Sequence, residues 1–329
     1  MKIAVWNRSL SDTYLRLAVQ LGAECIDFSS EYDFPGVREQ GCPDLDGVLA
    51  IKRRLASWGL GINRVTLPEI PLEYMQGRDE TAAERSGRAL AVFAEAGVPI
   101  ASQRLGGATF HGMVRRWQTA HRGGYLSRAE SLDYATRDHD EAPAGGAREW
   151  SDKPSFDDLE LWWERLLSVF GVLQPVAEEK GIRVTVHPSD PPLPDAPLSG
   201  QGLHRFFDAF PGPRVGCVYC CGTRAEAGGS SLVLDEVTAF GRMGKIFAVH
   251  FRNVRGSFAT SGGFEEVLLD DGDMNMLAVL RGLSNTGYEG CLNPDHYPLL
   301  AGDGEDISHS LAYSVGYIKA LLLALRSDS

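Results

Sequence analysis

Four short apolar runs in the second half of this chain each end in a residue able to bind a metal ion. Ile182-Arg-Val-Thr-Val-His187 and Ile246-Phe-Ala-Val-His250 end in histidine. Arg214-Val-Gly-Cys-Val-Tyr-Cys220 ends in cysteine, and Gly290-Cys-Leu-Asn-Pro-Asp-His296 ends in Asp295 and His296. Two imidazoles, a thiolate and a carboxylate suit a borderline transition ion such as Mn²⁺, Fe²⁺, Co²⁺ or Zn²⁺, whereas Mg²⁺ and Ca²⁺ prefer shells made of oxygen. His187, Cys220, His250 and Asp295 are therefore the expected ligands. Taken singly, a histidine at a strand end is more often a hydrogen-bonded structural residue, and a buried cysteine is more often inert packing. It is the recurrence at four consecutive strand-like ends that argues for one site. His204 and His309 fall inside helical patterns and read as core or surface residues.

Such a site needs a scaffold that gathers strand ends. Strand-like runs lie near residues 2–6, 24–28, 61–66, 99–104, 182–187, 214–220, 246–250 and 290–294, and amphipathic segments separate them. The helical stretches are 10–21, 45–58, 81–96, 156–180, 202–210, 232–240, 274–284 and 306–325. Gly22, Gly59, Gly97, Gly181 and Gly287 follow helical patterns and precede strands, the order of αβ loops. Strict alternation of eight strands and eight helices predicts a (β/α)₈ barrel, whose chemistry sits at the C-terminal strand ends. A doubly wound open sheet is the competitor. It lacks support after the first strand, where Trp6-Asn-Arg-Ser-Leu10 is no dinucleotide fingerprint.

One segment breaks the rhythm. Residues 106–153 follow the fourth strand and carry glycine pairs at 106–107, 123–124 and 145–146, with no convincing strand. They read as an insertion or lid over the mouth of a single barrel domain spanning residues 1–329, with 142–148 as its most flexible part. The charged run 137–141 lies inside it.

The net charge of −12 argues against nucleic acid or an anionic membrane surface as partner, but not against a small anionic substrate held by local arginines. The chain opens directly on a strand with no signal-peptide pattern, and no run reaches the roughly 18 apolar residues of a membrane span. Six cysteines in 329 residues do not form a disulfide scaffold. A reducing cytoplasm is the expected setting.

The motifs around these ends resemble one family. His187-Pro-Ser-Asp-Pro-Pro192 resembles the His-Pro-x-Asp-Pro-Pro of the D-mannonate dehydratases, and Cys220-Cys-Gly-Thr223 resembles their Cys-x-Gly-Ser/Thr turn. His250-Phe-Arg-Asn253, Gly272-Asp-Met-Asn-Met276, Pro294-Asp-His296 and Tyr313-Ser314 are similar to further family motifs, in the same order, over about residues 160–325. The resemblance implies a xylose-isomerase-like TIM barrel and a lyase that converts D-mannonate to 2-keto-3-deoxy-D-gluconate with Mn²⁺ or a similar ion. Its ligand positions fall on His187, Cys220, His250 and Asp295. Barrels of this superfamily are commonly dimers or tetramers, so a homo-oligomer is expected.

Proton removal next to a carboxylate builds up concentrated negative charge, which a divalent cation stabilises as a Lewis acid. Arg252 is a candidate clamp for the substrate carboxylate, with a structural salt bridge as the alternative. His296 and Tyr313 are the acid/base candidates, with the roles of base and acid open between them. Asp190 turns the proline-rich loop or supports a ligand histidine, and is counted with substrate binding. In the insertion, His111 and Arg128 are the candidates for contact with the distal hydroxyls. Departures from the family lie mainly there, and also at the double cysteine and at Asn275, read as a helix-start residue. Two rivals stand beside the dehydratase. A metal-dependent keto-sugar isomerase or epimerase is disfavoured by the absence of an obvious glutamate pair. A catalytically inactive sugar-acid binding protein would not need His296 and Tyr313.

Overall fold

The computed structural model describes residues 1–132, 150, 153–305 and 307–327, without the His111 side chain. The run 137–141 and the stretch 142–148 lie outside the described residues.

The strands are β1 (Lys2–Trp6), β2 (Cys25–Asp27), β3 (Gly61–Thr66), β4 (Ile100–Ser102), β5 (Arg115–Ala120), β6 (Leu126–Ser131), β7 (Arg183–Val186), β8 (Val215–Cys220), β9 (Ile246–His250), β10 (Asn253–Ser257), β11 (Gly263–Val267) and β12 (Cys291–Asn293). The helices are α1 (Asp12–Leu21), α2 (Val37–Gln40), α3 (Leu45–Ala56), α4 (Leu72–Met75), α5 (Ala82–Glu95), α6 (Phe156–Lys180), α7 (Gly200–Ala209), α8 (Cys221–Arg242), α9 (Phe258–Ser261), α10 (Met276–Asn285) and α11 (Ser308–Ser327). Eight strands close into a barrel in the order β1-β12-β9-β8-β7-β4-β3-β2, which decides against the open sheet. Every barrel strand falls on a run expected from the sequence. Gly22 and Gly181 close α1 and α6 in the left-handed conformation, with φ of 98° and 77°.

Contacts group the chain into two compact units. The first holds residues 1–25, 113–141 and 219–329. In it β1 pairs in parallel with β12 through Lys2↔Cys291, and β12 with β9 through Leu292↔Val249. It also contains a four-stranded sheet, β10-β11-β6-β5, built from two antiparallel hairpins. The hairpin β5–β6 corrects the expectation that residues 106–153 hold no strand. The reason is physical. A half-buried strand is normally recognised by alternating apolar residues. Here the buried positions of β6 include Ser127 and Glu130, while Leu126 is exposed. Glu130 Oε1 meets Arg116 directly across the ladder, at 2.6 Å, so an ion pair stands where the apolar stripe would be.

Helix α8 also differs from expectation. It starts at Cys221, eleven residues before the apolar periodicity begins at Leu232, and breaks at Gly229 (φ 79°, ψ −170°). Cys220 caps it, its Sγ accepting from the Thr223 backbone N–H at 3.4 Å. The early turns are rich in small residues and so carry little helical pattern.

The second unit holds residues 26–112 and 142–218. In it β3, β4, β7 and the start of β8 pair in parallel through Val65↔Ala101, Ala101↔Val184 and Val184↔Val215. Its core packs α5 against α6, and sets Phe170 edge-on to Phe206 with ring centroids 4.7 Å apart. The proline-rich loop after β7 folds back on itself, with Ser189 N–H donating to the Leu198 carbonyl at 3.1 Å. Gly202 anchors the end of that loop: a Cβ there would stand 1.8 Å from the Pro197 carbonyl oxygen. Backbone cannot give way as a side chain can. Gly202→Ala is expected to destabilise the fold by about 2–3 kcal/mol, read as a lower urea midpoint with unchanged slope.

Candidate active site

The barrel carries His187 just beyond β7, Cys220 and His250 as the last residues of β8 and β9, and Asp295 and His296 two and three residues beyond β12. Among the described residues, His187, Cys220 and His250 form a group suited to a metal ion, one ligand atom of each lying within 4.8 Å of the others. The His187 Nδ1 faces the Pro188 carbonyl oxygen at 2.7 Å. A carbonyl can only accept, so Nδ1 carries the hydrogen and Nε2 keeps its lone pair for a ligand. Cys220 is fully buried, and burial raises a thiol's pKa, yet the charge of Arg252 and a bond from His250 outweigh this and lower it. The neighbouring Cys221 thiol is instead pushed far up, by burial and by Cys220 itself. The two adjacent thiols are thus shifted in opposite directions. The donor set fits a borderline transition ion.

Asp295, the fourth expected ligand, is joined to this group through His250, whose Nδ1 lies 3.3 Å from its Oδ2. It sits at positive φ (63°), an uncommon conformation for a residue other than glycine. Two bonds hold it there: its N–H donates to Asn293 Oδ1 at 2.9 Å, and Trp6 Nε1 donates to its carbonyl oxygen at 3.0 Å. The positive φ turns the chain so that consecutive residues serve one site. Burial works against the Asp295 charge, but His250, His296 and Arg252 hold its carboxyl well below the ordinary range.

Arg252 lies between β9 and β10 and is buried. Its Nε faces Asp295 Oδ2 at 3.3 Å, Nη2 donates to Thr223 Oγ1 at 2.8 Å, and Nη1 bonds Glu226 and reaches Glu266 at 3.3 Å. The guanidinium thus forms the structural salt bridge that was the alternative to a substrate clamp. Gly222 makes room for it, because a Cβ at that position would stand 2.4 Å from Nη1.

The four-stranded sheet supplies the remaining partners. Glu266 on β11 accepts from His296 Nδ1 at 2.5 Å and from Arg128 Nη2 at 2.9 Å. Burial opposes its charge, but His296, Arg128 and Arg252 bring its pKa down to about 2. For His296, burial lowers the pKa, and Asp295 and Glu266 more than compensate, raising it to about 9.

Sequence reasoning did not find Glu130, Glu226 and Glu266. They lie away from the ends of the barrel strands and carry no motif; the one available signal was an arginine two residues before Glu130 and Glu226, and Glu266 has none. Tyr313 stands apart from this cluster: its hydroxyl bonds Asp270, which Arg122 also holds at 2.7 Å, and its ring stacks on Tyr317. Asp190 precedes the cis Pro191 in the loop after β7. Asn275 caps α10, its Oδ1 accepting from Ala278 N–H at 3.1 Å, as a helix-start residue does. A cavity of about 500 Å³ in the second unit is lined by Glu31, Arg38, Glu69 and Arg85 among others, and by none of the expected site residues.

Fold and donor set together define a (β/α)₈ barrel with candidate transition-metal ligands at its strand ends. Residues 154–328 match the family described as D-mannonate dehydratase (UxuA). The chain belongs to that family. It is 30% identical over 156 residues to "Mannonate dehydratase 2" of Halalkalibacterium halodurans, a match covering 46% of this chain and 44% of that relative's length. The fold is similar to that of a mannonate dehydratase from Streptococcus suis serotype 2, with a TM-score of 0.77 at 20% identity over 100% of this chain and 96% of the other. It is also similar to a xylose isomerase domain protein from Alicyclobacillus acidocaldarius subsp. acidocaldarius, with a TM-score of 0.59 at 20% identity over 98% and 99% of the two chains. No helix among the described residues is long and apolar enough to cross a membrane.

The Glu266 pKa has a consequence for acid stability. Its folded value, about 2, lies below the ordinary 4.5, so its contribution is present above pH 4.5 and is lost as pH falls through 2. Glu266→Gln removes that dependence. Urea midpoints at pH 5 and pH 3 should therefore fall further for the wild-type protein than for the variant.

Proposed function

We propose that this protein is a metal-dependent sugar-acid dehydratase that acts on D-mannonate. The observation that carries the reading is the gathering of His187, Cys220 and His250 within ligand distance, in a chain whose second half matches the D-mannonate dehydratase family. In this reading His187, Cys220, His250 and Asp295 hold the ion, with Mn²⁺ first among the candidates. When bound, the ion supplies a Lewis acid that stabilises charge developing next to the substrate carboxylate.

The chain's own residues supply the rest. His296 is the proton-transfer group, because its side chain is 36% exposed while those of Asp295 and Arg252 are 6% and 3%. The Cα–H bond breaks, and its electron pair forms the Cα–Cβ double bond as the Cβ–O bond breaks. The departing oxygen takes up a proton and leaves as water, and the enol becomes the 2-keto acid. Arg252 keeps Asp295 ionised and in place. Arg128, whose side chain is 21% exposed, presents positive charge for the anionic substrate. Tyr313 fixes Asp270 and Arg122.

Glu130, Glu226 and Glu266 give the isomerase reading a foothold that the sequence did not. Each is tied to an arginine: Glu130 to Arg116, Glu226 to Arg252, and Glu266 to Arg128. That favours a positioning role over metal binding.

A panel of aldonic and uronic acids incubated with the protein and Mn²⁺ is expected to give a 2-keto-3-deoxy acid from mannonate. Conversion without loss of water would establish the isomerase instead, and no conversion of any acid would overturn both. His187→Ala and Cys220→Ala are each expected to lose stoichiometric metal, measured by atomic emission after dialysis. Full occupancy in both would place the metal elsewhere.

A further inference from the structure

We infer that Glu266 is the positioning residue for His296, and that the insertion hairpin β5–β6 holds it there through Arg128. The inference rests on the reading of His296 as the proton-transfer group.

The geometry is specific. Glu266 belongs to β11, where it pairs with Val254 of β10, so its backbone is fixed within a ladder. Its Oε1 meets His296 Nδ1 at 2.5 Å. An ionised carboxylate only accepts, so Nδ1 carries the hydrogen and Nε2 is left as the atom that can gain or lose a proton. Nε2 lies 3.5 Å from Asp295 Oδ2, toward the metal-ligand group. The ring thus has one nitrogen held by the four-stranded sheet and the other turned toward the expected reaction.

Two arginines keep the carboxylate in place, Arg128 Nη2 at 2.9 Å and Arg252 Nη1 at 3.3 Å, and they approach from different elements. Arg252 is fixed by Glu226 and Thr223. Arg128 is fixed by β6, which pairs with β11 through Phe264↔Glu130 and Glu265↔Ala129; the next step of that register sets Arg128 opposite Glu266. The contact follows from strand register, independently of surface side-chain flexibility.

The arrangement separates Glu266 from residues that touch substrate. Its side chain is 9% exposed and is surrounded by His296, Arg128 and Arg252, so it acts through the ring that it holds. Glu266→Gln keeps the shape but can also present an amide donor to Nδ1, which destabilises the tautomer described above.

The test uses the full-length protein loaded with diamagnetic Zn²⁺ and labelled with ¹⁵N-histidine. The His296 ring signals are assigned by their loss in His296→Asn. In the wild type Nδ1 is expected to carry a proton whatever the state of Nε2, and in Glu266→Gln the Nδ1 shift should move toward that of an unprotonated nitrogen. Identical ring shifts in both proteins would overturn the inference whether or not any sugar acid is dehydrated. A protein with the expected shifts but no dehydratase activity would overturn the functional reading alone. With mannonate as substrate, Glu266→Gln should lower kcat about 10–100-fold with KM within twofold. Its effect should vanish in the His296→Asn background. Equal losses in both backgrounds, with a lowered melting temperature, would show a purely structural role. Glu266→Asp, which keeps the acceptor, should recover part of kcat.

Discussion

The buried guanidinium of Arg252 is the interaction on which the site depends. It joins the start of α8 through Thr223, the interior of α8 through Glu226, the second hairpin through Glu266, and the strand end of β12 through Asp295. None of these groups would tolerate burial alone. A buried carboxylate without a partner costs several kcal/mol, and removing one member of such a pair typically destabilises by about 3–5 kcal/mol. The charges therefore require one another, and that mutual requirement fixes their relative positions. The lowered Cys220 thiol is one outcome, since the positive charge that anchors the helix start also favours the thiolate.

The barrel was legible because its evidence is local and periodic. Apolar runs of strand length alternate with amphipathic helices, and glycines mark the αβ boundaries, so each barrel strand lay where its pattern placed it. The candidate ligand positions could be read as neighbours for a related reason, since barrel topology brings strand ends together. Three of the four expected ligands gather within 4.8 Å of one another, and Asp295 joins them through His250.

What was not legible depended on contacts between polar residues distant in sequence. Glu226 lies in the small-residue opening of a helix, and Glu266 in a second hairpin. Neither has a period or a motif, and each acquires meaning only once Arg252 and Arg128 stand beside it. The insertion was misread for the same reason. Its strands bury Ser127 and Glu130 where a sequence pattern would require apolar residues, so the hydrophobic signal is missing although the ladder is complete. Arg252 illustrates the limit. Its proximity to His250 in sequence left a substrate clamp and a structural salt bridge both open, and only its carboxylate partners show the second.

Gly222 and Arg252 are separated by thirty positions, yet the space that a methyl group would fill at one is occupied by the side chain of the other. Neither can change by itself: a larger residue at 222 would expel the guanidinium, and a smaller residue at 252 would strand the acids around it. In evolutionary terms the pair forms a ratchet. A lineage that had lost the arginine would be free to fill the glycine, and once filled, that position would bar the way back.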